Sequence, residues 1–215
     1  MKNAIKAITE GVSYVGYYKT SLLKALLVPL ALLALIKILG FLPNIDSNTA
    51  TAIKFLKCIP LTLIAITTHK IILDGPNSVP SWGINRFGTR EFKFIGNQFL
   101  VFIVALPTLV LAYIPHLGIF IMITAIAYIV GRLSLVFPSI AIGEDIGLKD
   151  SWEATKNYKL MMVVVVVLFP LILRLLEETL KLLPGMFWIG FLTSPLTIIF
   201  VVSSLSSAYK IVMES

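Results

Sequence analysis

Cysteine, histidine and charge are scarce in this chain of 215 residues, which holds one cysteine, two histidines and only 13% Asp, Glu, Lys and Arg. The lone Cys58 excludes an intrachain disulfide and a thiolate metal cluster. His69 and His116 stand far apart with no H-E-x-x-H around either, and neither a G-x-S-x-G elbow nor a glycine-rich phosphate loop is present. No catalytic centre, metal site or cofactor is therefore expected. The shortage of charge, about half of the ~25% carried by soluble domains, excludes a soluble enzyme, a disordered chain and a coiled coil. What fills the space is apolar: 58% of the residues, with a mean hydropathy of +0.94. The formal charge of +7 then reads as basic residues bracketing apolar runs rather than as a nucleic-acid footprint, so no nucleic-acid partner is expected.

A membrane-crossing helix needs ~20 mainly apolar residues. Six such runs are legible, at 21–42, 53–73, 96–114, 117–142, 160–173 with a charged helical continuation, and 186–208. Their apolar residues are continuous rather than alternating, which disfavours a β-barrel. The fold class is thus all-α, a polytopic bundle forming one membrane domain over 1–215.

Basic residues set the expected orientation. With the N-terminus inside, the cytoplasmic flanks carry Lys2, Lys6, Lys19, Lys24, Lys70, Arg86, Arg90, Lys93, Lys149, Lys156, Lys159 and Lys210. The outer flanks carry Lys37, Lys54, Lys57, Arg174 and Lys181. Twelve against five predicts both termini in the cytoplasm, with 43–52, 113–116 and 184–185 as outer connections. The apolar stretch starts too late for a cleavable signal peptide. Before it, Ile5, Ile8, Val12 and Val15 recur at helical spacing, predicting an amphipathic helix in the cytoplasmic interface, with Tyr14, Tyr17 and Tyr18 at headgroup level.

Two later cytoplasmic segments have the same character. Arg86, Arg90, Lys93 and Asn97 make a basic stripe between Ile84 and Asn97, explained by topology or by contact with anionic lipid headgroups. Asp150-Ser151-Trp152-Glu153 has the form of a capping box, with Asp150 at the N-cap and Leu148, Trp152 and Thr155 on the less polar face. Asp74, Ser81, Trp82 and Arg86 reappear seventy residues on as Glu144, Ser151, Trp152 and Lys156. That echo suggests three parallel hairpin units, 1–73, 74–143 and 144–215, against chance matching of short loops.

Arg132 is the charge left inside a span, assigned to neither flank. It precedes Ile142 by ten positions, about 15 Å of helix. A charge at mid-bilayer costs at least ~2.5 kcal/mol unless it finds a partner. It should face the bundle interior, either as an interhelical clamp, with Ser134 and the carbonyl freed by Pro138 as neighbours, or as an anion or substrate contact in a transport path. Glu144 is placed one turn too shallow to pair with it. Each predicted span holds one proline: Pro29, Pro60, Pro107, Pro138, Pro170 and Pro195. Such residues fit moving gates and static bends alike. Arg174, Glu177, Glu178 and Lys181 read as a solvated helix end, and Cys58 as a small apolar filler.

Two stretches resemble six-span uncharacterised bacterial inner-membrane proteins of the YciC type and related membrane domains. One is Arg132-Leu133-Ser134-Leu135-Val136-Phe137-Pro138, followed by Glu144, Ser151-Trp152 and Thr155-Lys156. The other is His69-Lys70-Ile71-Ile72-Leu73-Asp74-Gly75 with Arg90-Glu91-Phe92-Lys93-Phe94. Asn157 stands where the family pattern has glycine, and Lys70 where arginine is usual. The resemblance covers roughly 65–165; it implies six spans in the inner membrane and cytoplasmic motif loops, and implies no reaction. The expected function is a non-catalytic protein of membrane or envelope organisation, or a partner of a membrane complex. The competing class is a transporter or channel for a small solute or lipid.

Overall fold

The computed structural model describes residues 1–40, 46–80, 87–144, 146–183 and 189–214. Every regular element among these is helical, with no strand. Among the described residues eleven α-helices follow one another: α1 (Lys2–Tyr17), α2 (Lys19–Leu39), α3 (Ser47–Leu56), α4 (Cys58–Asp74), α5 (Thr89–Ala105), α6 (Gly118–Leu133), α7 (Val136–Ile142), α8 (Leu148–Ala154), α9 (Lys159–Val163), α10 (Phe169–Lys181) and α11 (Ile189–Met213). Joined end to end where they are continuous, they give six stretches long and apolar enough to cross a membrane: Lys19–Leu39, Ser47–Asp74, Thr89–Tyr113, Gly118–Ile142, Lys159–Lys181 and Thr193–Met213. Each predicted run overlaps one of them, and the chain is a multi-pass membrane protein.

Two boundaries differ from expectation because side-chain caps start helices early. Asp46 accepts from the backbone N–H groups of Asn48 and Thr49 at 3.0 and 3.1 Å, so residues 47–52 open α3 instead of belonging to the connection. Glu91 accepts from the Gly88 N–H at 2.7 Å and starts α5. Arg90 and Lys93 therefore sit on the opening turns of a helix that runs unbroken to Ala105, not on a separate segment ending at Asn97.

The prolines account for most of the irregular geometry. Proline lacks the N–H that would reach back four residues, so the carbonyl it abandons must find another donor. The Ile103 carbonyl abandoned by Pro107 takes the Leu106 N–H, and 106–113 tightens into a 3-10 helix. The Ser134 carbonyl abandoned by Pro138 takes the Phe137 N–H at 3.2 Å, at the break between α6 and α7. Ahead of Pro170 the chain widens into a π turn over Val164–Leu168, with the Phe169 N–H on the Val164 carbonyl. Pro60 follows the break at Lys57, whereas Pro29 and Pro195 sit inside α2 and α11 without one.

The core gathers around α11, which α1, α4 and α10 flank. α1 buries only part of the stripe its sequence advertises, with Ile8 and Val15 packed partly buried against the core. Ile5 and Val12 are exposed, and the face turned inward is Ala4, Ala7 and Gly11, packed on Leu205, Ala208, Tyr209 and Val212. The reason is distance. A Cβ on Gly11 would come within 2.5 Å of the Ser204 Cα, so only glycine permits this approach, and the Ser203 hydroxyl donates to the Gly11 carbonyl at 2.6 Å. Small residues that let backbones touch are the usual solution where lipid tails remove the hydrophobic drive for helix association.

Candidate functional site

Arg132, on the last turn of α6, is 3% exposed. Its Nε donates to Thr155 Oγ1 at 3.0 Å, Nη1 donates to the Tyr128 hydroxyl at 3.0 Å, and Nη2 donates to the Trp152 carbonyl. The guanidinium carbon lies 3.9 Å from the centroid of the Trp152 ring, and the Tyr128 ring meets Trp152 edge-on at 5.7 Å. The backbone is tied in as well, since the Ser151 hydroxyl donates to the Arg132 carbonyl at 2.9 Å. Among the described residues no carboxylate bonds this guanidinium.

Local sequence explains why the parts meet. α8 starts at Leu148 because Asp150, at its third position, accepts from the Gly147 N–H at 3.1 Å. This corrects the capping assignment: Gly147 is the N-cap, and Glu153 plays no part. One turn of α8 then puts Ser151 and Thr155 on the buried side and leaves the Trp152 ring across the guanidinium. Gly131 lets α9 close against the same turn of α6, for a Cβ there would stand 3.2 Å from the Val163 nitrogen.

The arrangement is a clamp between α6 and α8. A planar guanidinium with fixed donors suits three acceptors and an aromatic face at once, which an ammonium does not. Sequence reasoning places Arg132 in the interior, and the family pattern quotes Ser151-Trp152 and Thr155 after it, but the neighbours it expects are Ser134 and the carbonyl freed by Pro138. Ser134 donates to the Gly131 carbonyl at 2.7 Å, and the carbonyl freed by Pro138 is taken by Phe137. Glu144 is occupied elsewhere, accepting from the Tyr209 hydroxyl. Lys156 falls in the 3-10 turn after α8, exposed, and Pro138 is buried in α7.

The other motif residues divide between structure and surface. Glu91 is buried as a cap, Asp74 is exposed at the end of α4, and Arg90 and Lys93 are exposed on α5. Arg86, Ser81 and Trp82 lie outside the described residues. His69 is buried, with Nδ1 2.7 Å from the Ser206 hydroxyl. Ser206 belongs to a polar face of α11 that sequence analysis passed over. Ser203 and Ser207 reach α1 at the Gly11 carbonyl and Glu10, while Lys210 reaches the Ile72 carbonyl of α4. The signal was the run Ser203-Ser204-Leu205-Ser206-Ser207 inside an apolar span, where each hydroxyl needs an acceptor.

Two further expectations are revised. Cys58 is exposed rather than filling a gap. The charged cluster at the end of α10 is no solvated helix end throughout: Glu177 is 3% exposed, pressed against Gly190 of α11 and bridged by Lys181 at 2.9 Å and Arg174 at 3.3 Å. Comparison with protein-family models, with curated proteins and with solved structures finds no match.

Proposed function

We propose that this is a non-catalytic six-span protein of the bacterial cytoplasmic membrane, with both termini inside, that serves membrane organisation as a partner of another membrane complex. The observation that carries this reading is the commitment of Arg132 to its own protein. Each of its three nitrogens donates within the protein, to Thr155, Tyr128 and the Trp152 carbonyl, and its face is covered by the Trp152 ring. A transport path would need that charge turned toward a permeating solute, whereas its bonds and its ring contact are made within the protein. The orientation rests on the basic residues, and the likeness to YciC-type proteins agrees with it. Arg90 and Lys93 on the exposed opening turns of α5, with Arg86 before them, are the positions for anionic headgroups.

Purification in native nanodiscs followed by mass spectrometry tests the reading. A membrane protein in fixed ratio to this chain, together with enriched anionic lipid, is the expected result. Recovery of the chain alone, combined with solute-dependent swelling of liposomes that contain it, would replace organisation with transport.

A further inference from the structure

A cavity of about 280 Å³ opens between α4, α5, α7 and α11, just below the ~300–1,000 Å³ found for ligand sites. Its mouth holds exposed Cys58 and Gln98, its walls include the Phe94 and Phe137 rings, 5.0 Å apart and tilted, and His69 lines its interior. His69 Nδ1 meets Ser206, and the Ser206 hydroxyl is also 3.0 Å from the Val202 carbonyl four residues back. A carbonyl can only accept, so the Ser206 hydrogen belongs to Val202 and its oxygen accepts from His69. That puts the imidazole proton on Nδ1 and leaves the Nε2 lone pair as an acceptor in a pocket with no acidic residue in its lining.

We propose that this cavity binds an uncharged amphipathic molecule through a hydroxyl that donates to His69 Nε2, its apolar body lying along Phe94 and Phe137. A charged head would be stripped of water with no counter-charge in the lining. Two membrane sources share the chemistry, a phenol or hydroquinol ring and a lipid alcohol.

The test uses the full chain in nanodiscs with 15N-labelled histidine. Before any addition, the His69 signals should show Nδ1 protonated and Nε2 bare; the reverse tautomer overturns the proposal. Titration with 4-butylphenol should then shift the Nε2 signal, and 4-butylanisole, the same shape without the donor, should bind about tenfold more weakly. Equal binding of phenol and anisole overturns it. Tighter binding of 4-butylphenol than of 1-octanol assigns the ring source, and the opposite order assigns the lipid alcohol. His69→Phe should abolish the discrimination between phenol and ether. Gln98→Trp, which fills the exposed mouth, should weaken the phenol, and an unchanged affinity there places its binding elsewhere.

Discussion

Arg132 shows how much one buried cation asks of its neighbours. Removing it leaves a hydroxyl pair and a carbonyl without their donor, and the loss of a charged, buried hydrogen-bonding partner costs about 3 kcal/mol. Arg132→Leu should therefore lower the unfolding temperature in detergent markedly, and Arg132→Lys should recover little, because one ammonium cannot reach Thr155, Tyr128 and the Trp152 carbonyl together. A Lys variant as stable as the parent would mean that the fork geometry is irrelevant. Trp152→Leu isolates the ring contribution, expected at about 1–2 kcal/mol for a desolvated cation over indole. The need for a partner was legible in the sequence, since a lone arginine in an apolar run must be satisfied. The partner was not, because α8 and α6 meet through a reversal of the chain that spacing alone does not encode.

Among the elements, α1 is the most sensitive to a single atom. Gly11→Val should push it off α11, raising the labelling of a cysteine placed at Ala7, while Gly16→Val, at a position with nothing within 4 Å, should leave labelling unchanged. Equal effects from both would show that helix propensity, not the close approach, is at work. α3 has a different dependence. The Thr49 hydroxyl and backbone N–H hold the Asp46 carboxyl below its ordinary value. A depressed folded value means that the cap is fully effective above the unfolded carboxylate pKa, ~3.9, and is lost as pH falls through the lowered one. Protection factors of the Asn48 and Thr49 amides should fall across that window, and Asp46→Asn should flatten the dependence. The positions of the six runs could be read from hydropathy because burial in lipid imposes long apolar stretches. Ends and faces could not, because a carboxylate cap or one glycine overrides the average. Ile5 and Val12 formed the more hydrophobic stripe of α1, yet Ala4, Ala7 and Gly11 won the interface through closeness.

For the molecule as a whole, the two ends of the described chain lie together, with Ala4 and Val212 in one cluster. In a Cys58→Ala background, single cysteines at Ser47 and Asn77, both exposed, should react with an impermeant thiol reagent from opposite faces of the membrane. Reaction from one face would remove the span α3–α4. The joining of α1 to α11 also imposes an order on biosynthesis. Gly11 and Ser203 are 192 residues apart, so at ~5–20 residues per second a ribosome takes about 10–40 s to supply the seat that α1 occupies. Until then α1 has only α2, α9 and the π turn to pack on, and Gly11 lacks its seat. A chain stalled before α11 is thus recognisable as unfinished by the very helix that was made first of the two, which gives membrane quality control a segment to hold or to cut.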